Sequence, residues 1–333
     1  MTKNLKDEYF HMQNIKNFLF RTRKLTTIIL IAIILLTISG LYLNSYLNKI
    51  NHQESPPATD IKPNDGNVSS QYNKPTKDSG DSLTDKDIIN ILLIGQDKRP
   101  GEGSARSDSM IIATVNKKSN SIKLTSLMRD MYVPIPGYAD NKINAAYALG
   151  GMDLLDKTVE ENFLIGIDGC IEVDFSGFEK IIDKIDGIEI KLNKDEAYYL
   201  SRSSGLKLME GTNRLTGETA LEYARIRYIG NDDYERTERQ RNVLVAVFDK
   251  LKDSNIKTLL ELADDILPLV TTNLTNSQIL SLATKVILMD ISEIETYRIP
   301  ADGEFTPTTI SEMSVLVPNL PENRELLREY IGY

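Results

Sequence analysis

Histidine and cysteine are almost absent from this chain of 333 residues, which contains two histidines and one cysteine. Both histidines, His11 and His52, lie outside the part of the sequence that we expect to fold. Ser-His-Asp and Cys-His nucleophilic mechanisms and histidine-rich zinc sites are therefore excluded for the folded domain. The lone Cys170 cannot form an intramolecular disulfide, and we expect it to be a small buried residue of a strand. The remaining chemistry belongs to carboxylates, arginines, hydroxyls and an oxygen-liganded metal.

Charged residues are missing from Leu25–Leu43, a segment dominated by Ile and Leu. At about 1.5 Å per residue this segment nearly spans a hydrocarbon core of roughly 30 Å. Lys16, Arg21, Arg23 and Lys24 stand close before it, so the positive-inside rule places the N-terminus in the cytoplasm. We predict a cytoplasmic tail at residues 1–24 and a single transmembrane helix at 25–47 in the cell membrane, with the C-terminal part extracytoplasmic. A cleaved signal peptide is the alternative, but its apolar region would usually be only about 7–15 residues long.

Apolar residues are also scarce in residues 48–86, which are rich in Pro, Ser, Asn, Asp and Gly. This composition predicts a flexible extracytoplasmic linker. We expect residues 87–333 to form the folded domain. Apolar patterns predict strands at 88–95, 109–116, 121–127 and 294–300, and helices at 153–163, 175–185, 216–223, 235–253, 256–270 and 277–289. Strands mixed with helices indicate a three-layer α/β or an α+β domain.

Arginines and aspartates are concentrated in two distant blocks, although the chain is acidic. The net charge is −9, and since the first 24 residues carry +4 the remainder carries −13. In the first block, Asp97 and Asp108 flank the loop KRPGEGSARS, which also carries Arg99 and Arg106. One loop can bring the two carboxylates together, and its glycines let backbone approach a ligand closely. The alternative is a solvated hairpin loop, whereas a Walker A loop is excluded because no GKS or GKT follows.

The second block is YARIRYIGNDDYERTERQRN. Arg225 and Arg227 are two residues apart in a segment that we predict to be extended, so both side chains would point to one face. Arg236, Arg239 and Gln240 are spaced for one face of a helix near its N-terminus, where free backbone N–H groups attract anions. The alternative is ordinary ion pairing with neighbouring acidic residues. We favour an anion site, since several guanidinium forks converge from adjoining segments.

Further candidates stand between the two blocks. Arg129 and Asp130 end a predicted strand in SLMRDMYVPIPG and can add another fork, or they can form a structural pair. Lys142 and Asn144 in DNKINAAYALGG carry a weaker signal.

The ordered series GxDxR, RSD, RD with VPIPG, KINxAYxxGG, LTGxxALxYxRxR and DxxRxxRQ resembles the LytR-CpsA-Psr family of cell-wall assembly proteins. The resemblance covers roughly residues 88–255. It implies an α/β/α sandwich with a central mixed sheet, preceded by one transmembrane helix. It also implies an extracytoplasmic phosphotransferase that moves an anionic glycopolymer, such as teichoic acid or capsular polysaccharide, from a polyprenyl-pyrophosphate carrier to a peptidoglycan sugar hydroxyl.

By the same resemblance, Asp97 and Asp108 hold Mg²⁺ or Mn²⁺, and Asp97, Arg99, Arg227 and Arg236 are the catalytic set. The pyrophosphate-binding set is Arg99, Arg106, Arg129, Arg225, Arg227, Arg236, Arg239 and Gln240. Two rival functions use the same residues: hydrolysis of the carrier pyrophosphate, and non-catalytic regulation by binding lipid-linked wall precursors. A nucleic-acid partner is not expected, because DNA-binding domains carry a basic footprint.

Overall fold

The computed structural model describes residues 44–53, 85–96, 107–227, 229–230, 232–289, 291 and 293–333. The predicted cytoplasmic tail, most of the predicted membrane helix and linker, and the loop 97–106 lie outside these ranges. Residues 44–47, at the end of the predicted membrane helix, are helical. Within the described ranges no helix combines the length and hydropathy that crossing a membrane requires. The membrane helix therefore stays a prediction.

A mixed sheet forms the centre of the domain. The strands, numbered along the chain, are β1 (Asn51–His52), β2 (Ile88–Gln96), β3 (Ser107–Asn116), β4 (Ser121–Leu127), β5 (Tyr132–Val133), β6 (Asn141–Lys142), β7 (Gly169–Asp174), β8 (Ile188–Leu192), β9 (Gly211–Leu215), β10 (Thr271–Thr272), β11 (Ile294–Ile299), β12 (Phe305–Ile310) and β13 (Met313–Pro318). Seven strands of the described chain make the sheet in the order β1-β10-β7-β2-β3-β4-β11. The pairs β1–β10, β2–β7 and β4–β11 are parallel, and the other three are antiparallel. The central β2 is covered on both faces, which explains its almost continuous apolar sequence IINILLIG.

Helices cover both faces of this sheet. They are α1 (Ile143–Phe163), α2 (Phe175–Lys184), α3 (Lys194–Ser204), α4 (Gly217–Arg225), α5 (Asp232–Leu251), α6 (Ile256–Ile266), α7 (Asn276–Leu288) and α8 (Leu320–Ile331). Leu92 opposes Ile112 on one face, where both join a core with residues of α1 and α8. Ser126 opposes Ile111 on the other face, and its Oγ accepts a hydrogen bond of 2.8 Å from Arg241 of α5. An α/β fold with a central mixed sheet is therefore confirmed.

The folded unit begins earlier than the sequence indicated. Ile50 is buried, and Asn51 and His52 pair with β10 at the sheet edge. The prediction that all of residues 48–86 is linker is therefore wrong for 50–53, and so is the prediction of a histidine-free domain. His52 Nε2 lies 3.0 Å from Asn276 Oδ1. Five strand steps of roughly 4.8 Å place β1 about 24 Å from β4, so His52 lies far from the arginines described below.

Most predicted elements are present within a few residues. The strands β2, β3, β4 and β11 are confirmed, and Cys170 is a buried residue of β7 as expected. The predicted helix at 153–163 is the second half of α1, which begins at Ile143 and carries non-helical dihedral angles at Gly150 and Gly151. The apolar patterns of the sequence did not predict α3, α8 or the β12–β13 hairpin.

The polar residues of the candidate site lie along the edge of the sheet at which strands begin or end. The strands β2, β4, β7 and β11 end there, and the antiparallel β3 begins there. Chain segments that follow different strands therefore meet, although they lie far apart in the sequence.

Candidate functional site: an arginine–aspartate cluster

Asp108 and Arg129 lie side by side at this edge. Asp108 is the second residue of β3, and Arg129 follows the end of the neighbouring β4. Arg129 Nη1 donates a 2.9 Å hydrogen bond to Asp108 Oδ1. The family resemblance implied separate roles for them, with Asp108 binding a metal ion and Arg129 binding pyrophosphate. The structure shows that they are direct partners.

Asp130 and Lys142 extend the cluster. Lys142 Nζ, from β6, donates to Asp130 Oδ1 at 2.5 Å, and Arg129 Nε lies 3.6 Å from Asp130 Oδ2. Burial opposes ionisation of Asp130, but the hydrogen bond from Lys142 and the charges of both cations outweigh it and lower the pKa of this carboxyl. Asp130 is therefore a fixed anion that orients two cations, and Lys142 has a clearer place in the site than its sequence signal suggested.

Asp233, in the first turn of α5, joins three arginines. Its Oδ1 lies 3.1 Å from Arg236 Nη1 and 3.7 Å from Arg227 Nε. Its Oδ2 lies 3.9 Å from Arg129 Nη2. From the sequence, Asp233 was one of the neighbouring acidic residues expected in ordinary ion pairs. It is instead the carboxylate on which Arg129, Arg227 and Arg236 converge.

Two guanidinium groups of the cluster have hydrogen-bonding capacity left over. Within the described residues, the buried Nε atoms of Arg129 and Arg236 have no hydrogen-bond partner. Arg236 is 3 % exposed, and its burial, followed by the charges of Arg129 and Arg227, lowers its pKa to about 10. Buried donors normally find acceptors, and an anion held by arginine forks would supply them. These two guanidinium groups therefore have donor atoms that an anion can use, and their role in anion binding stays a prediction.

Two other predicted ligands are engaged differently. Arg239 is 2 % exposed, and its Nε and Nη2 lie 2.7 Å from Glu196 Oε1 and Glu235 Oε2, respectively. It also donates to the carbonyl oxygens of Ile226 and Ile229, at 3.2 and 3.3 Å. Its side chain is thus a structural tie between α3, α5 and the segment before α5. This placement argues against the predicted pyrophosphate contact.

The prediction that Arg225 lies in an extended segment is wrong. Arg225 is the last residue of helix α4. Its guanidinium carbon lies 4.8 Å from the centre of the Phe175 ring, next to the end of β7. Arg227 follows in irregular structure and points to Asp233. The two side chains therefore contact different groups. Gln240 lies half-buried on α5.

Asp97, Arg99 and Arg106 lie outside the described residues. The adjacent positions are described: Gln96 opposes Ser107, so the chain leaves β2 and enters β3 beside Asp108. Mg²⁺ usually takes one or two carboxylates and completes its shell with water and substrate phosphates. Among the described residues no group of three or more His, Cys, Asp or Glu side chains is arranged to hold a metal. A metal cage built from described side chains alone is therefore not supported, and metal binding by Asp97 and the half-buried Asp108 stays a prediction.

At the end of β2 lies a largely buried polar triad of Gln96, Tyr147 and Glu172, which was not among the residues predicted from the sequence. Glu172 of β7 is 8 % exposed. Its Oε2 accepts a 2.6 Å hydrogen bond from Tyr147 Oη, and its Oε1 accepts one from Gln96 Nε2. Burial and the contact with Glu172 raise the pKa of Tyr147, which keeps the phenol protonated. Tyr147 belongs to the motif KINxAYxxGG, so the motif itself was the available signal.

Comparison with known protein sequences identifies a family and relatives of this chain. The LytR_cpsA_psr family model matches residues 46–329. The regulatory protein MsrR of Staphylococcus aureus (strain COL) is 33 % identical over 267 residues, which cover 78 % of this chain and 77 % of MsrR. The polyisoprenyl-teichoic acid–peptidoglycan teichoic acid transferase TagU of Bacillus mycoides (strain KBAB4) is 35 % identical over 245 residues, covering 70 % and 78 %.

Solved structures give the same result. TagT bound to LI-WTA superposes with a TM-score of 0.62 at 29 % identity, covering 74 % of this chain and 92 % of that one. The family protein YwtF (TagT) with bound octaprenyl pyrophosphate lipid superposes with a TM-score of 0.58 at 28 % identity, with the same coverage. With a family model that spans most of its length and relatives that match over more than two thirds of it, this chain belongs to the LytR_cpsA_psr family.

Proposed function

We propose that this protein transfers an anionic glycopolymer from a polyprenyl-pyrophosphate carrier to a sugar hydroxyl of peptidoglycan. The observation that carries the proposal is the convergence of Arg129, Arg227 and Arg236 on Asp233, where two buried Nε atoms have no hydrogen-bond partner among the described residues. Relatives named as teichoic acid transferases, and a relative with a bound octaprenyl pyrophosphate lipid, support this choice of anion.

The charge of the cluster suits a pyrophosphate. Four cations (Arg129, Lys142, Arg227 and Arg236) surround three carboxylates (Asp108, Asp130 and Asp233). The carboxylates hold the arginines in place before substrate arrives, and preorganised donors stabilise charge that develops in a transition state. An anion with several oxygens can then use the donor atoms that the carboxylates leave free.

The reaction is an in-line displacement at the glycan-linked phosphorus. The acceptor oxygen forms the new P–O bond, the bond to the bridging oxygen breaks, and polyprenyl phosphate leaves. Arg129, Arg227 and Arg236 bind the phosphate oxygens and offset the charge on the leaving group, while a carboxylate takes the proton of the acceptor hydroxyl. Asp97 is the nearest sequence candidate for that base. Asp97 and Asp108 would hold Mg²⁺ or Mn²⁺, and this ion would supply positive charge that offsets the negative charge of the pyrophosphate.

The test is a reconstituted reaction of the full-length protein in detergent micelles. It contains a labelled polyprenyl-pyrophosphate glycan, peptidoglycan and Mg²⁺. We expect label to appear on peptidoglycan through a phosphodiester. Release of free glycan phosphate with no labelled peptidoglycan would instead indicate that the protein hydrolyses the carrier pyrophosphate. Tight lipid binding with neither product would favour a non-catalytic regulator.

We also propose that the protein acts at the outer face of the cell membrane, anchored by the predicted helix at 25–47. The uncharged Leu25–Leu43 segment and the basic residues before it support this topology. Protease added to intact protoplasts is expected to remove the domain that starts at Ile50. Protection of this domain until the cells are lysed would contradict the proposed orientation.

A further inference from the structure

We propose that a polar cleft beside the carboxyl ends of β2 and β7 binds the sugar ring of the acceptor glycan. This inference rests on the transferase function proposed above. The cleft has a volume of about 180 Å³. Its polar lining includes residues of β1, β2, β7, α2 and β10, among them Asn51, Gln96, Glu172, Asp174, Lys180 and Thr271.

The position of the cleft suits the second substrate. In the sheet order β10-β7-β2-β3-β4, the cleft lies on the β7 and β10 side of β2, whereas Asp108 and Arg129 lie on the β3 and β4 side. The two regions flank the end of β2, and their nearest strands, β7 and β3, are two steps of roughly 4.8 Å apart, which is about 10 Å. An in-line displacement needs the attacking and leaving oxygens on opposite sides of phosphorus. An acceptor in the cleft and a pyrophosphate on the arginines would satisfy that requirement.

The charge of the cleft separates its ligand from that of the arginine cluster. Two carboxylates, Glu172 and Asp174, stand against one ammonium, Lys180. This balance disfavours a second phosphate but suits neutral hydroxyls, which both donate and accept hydrogen bonds. The volume is below the roughly 300–1,000 Å³ of pockets that enclose drug-sized ligands. It therefore suits one ring of a longer glycan, with the rest of the polymer in solvent.

The carboxylates of the cleft are held rigidly. Glu172 receives hydrogen bonds from Tyr147 and Gln96, and among the described residues it forms no ion pair. Burying such a charge is costly unless it is hydrogen-bonded, and these two hydrogen bonds offset the cost and fix the direction of the carboxylate. Asp174 Oδ1 accepts from Gly177 N at 2.7 Å and caps α2. Both side chains thus present acceptors in fixed positions to a sugar hydroxyl.

Lys180 and Asp174 allow a test that spares the fold. Lys180 is exposed, so Lys180→Gln removes the ammonium without leaving a buried gap. Asp174→Asn removes the charge but keeps a good helix cap. Lys184→Gln is the matched control: Lys184 lies one turn further on α2, outside the cleft, and pairs with Asp265 at the surface. Initial rates are measured with full-length protein in detergent micelles, varying a soluble peptidoglycan fragment and the lipid-linked donor separately.

We expect Lys180→Gln and Asp174→Asn each to raise the KM for the peptidoglycan fragment about tenfold, the scale of one lost charged hydrogen bond. The KM for the donor lipid is expected to stay within about twofold. Lys184→Gln should match wild type, and Lys180→Arg should recover part of the loss. An unchanged acceptor KM in both cleft variants, or an equal rise in the donor KM, would overturn the subsite.

Binding of the same peptidoglycan fragment is also measured by calorimetry, without the donor lipid. This measurement distinguishes failure of the acceptor subsite from failure of the proposed transferase function. If wild type forms no product with any acceptor, the proposed function fails. The cleft is then judged by binding alone: a fragment that binds wild type and Lys180→Gln equally well, or neither of them, contradicts the subsite, whereas at least tenfold weaker binding by the variant supports it.

Discussion

Asp233 Oδ1 lies 3.1 Å from Arg236 Nη1, within the first turn of α5. The same carboxylate also faces Arg227 and Arg129, so one side chain gathers arginines from three separate segments. Arg236 is almost fully buried, and its Nε has no hydrogen-bond partner among the described residues. In the proposed function this pair is a preorganised part of the anion site, since the carboxylate holds guanidinium groups whose remaining donors an anion can use.

Arg236→Ala and Arg227→Ala are each expected to lower turnover at least 10²-fold, the scale of losing one preorganised donor. Arg236→Lys should recover little of this, because an ammonium does not reproduce the planar fork. Turnover of the lipid-linked glycan with peptidoglycan is the measurement. Arg202→Ala, at an exposed position of α3, serves as the control and should behave as wild type. Wild-type turnover in either site variant would remove that arginine from the mechanism.

Arg239→Ala should instead unfold the domain more easily. Arg239 is buried between Glu196 and Glu235, and removing one partner of a buried ion pair costs about 3–5 kcal/mol. Urea denaturation followed by circular dichroism measures the loss. Arg214→Ala, which breaks an exposed pair with Asp186, should cost less than about 1 kcal/mol. A stable Arg239→Ala protein that has lost pyrophosphate binding would restore the ligand role that the structure argues against.

Asp108→Asn should raise the Mg²⁺ concentration for half-maximal activity about tenfold, because a carboxylate ligand is lost. Chelation of divalent ions with EDTA is expected to abolish transfer, and added Mg²⁺ or Mn²⁺ to restore it. Asp108 also pairs with Arg129, so Arg129→Lys is the companion variant. It should lower turnover with little change in the Mg²⁺ requirement. Equal Mg²⁺ curves for wild type and Asp108→Asn would exclude Asp108 as a metal ligand.

Asp156 of α1 predicts a pH dependence of stability. Its burial, followed by the charges of Glu160, Asp153 and Asp168, raises its pKa to about 7. An acid with a raised folded pKa binds more protons folded than unfolded between pH about 4 and 7, so this carboxyl makes the domain less stable as pH rises through that window.

Asp156→Asn should therefore stabilise the domain by roughly 1–3 kcal/mol at pH 8, after a discount for solvent screening, and by little at pH 4. Unfolding free energies of both proteins across this range are the measurement. Glu161→Gln, at an exposed position of the same helix, should change stability by less than about 0.5 kcal/mol at either pH. A variant less stable than wild type at pH 8 would show that the ionised carboxylate is a favourable group.

Local patterns were sufficient for the strands that flank the site. The apolar runs of β2, β3 and β4 are buried, and burial selects such runs regardless of which strands pair. They were not sufficient for α3, whose sequence KDEAYYLSRSS is polar. That helix is stabilised by a capping box between Asn193 and Glu196 and by the tie from Arg239, and the tie depends on contacts far apart in the chain.

The spacing of arginines in the sequence also gave wrong predictions of side-chain direction where the backbone changes conformation. Arg225 and Arg227 would share a face in a strand, but α4 ends at Arg225 and separates their directions. Similarly, Arg236 and Arg239 lie one turn apart on α5, yet one faces Asp233 and the other is tied to Glu196. A helical face indicates proximity only, whereas the partner of each guanidinium depends on which buried carboxylate the fold brings to it.

The sequence by itself determined the residue types of the chemistry and the family, because ordered motifs and the scarcity of histidine are properties of the chain alone. Only the tertiary structure decided which residues act together. It joined Asp108 to Arg129 and made Asp233 the centre of the cluster, because neighbouring strands that end at one edge bring distant segments within hydrogen-bonding distance. It also gave Arg239 a structural role. A buried guanidinium group requires carboxylate partners because its surroundings have low polarity, and the fold places Glu196 and Glu235 beside it.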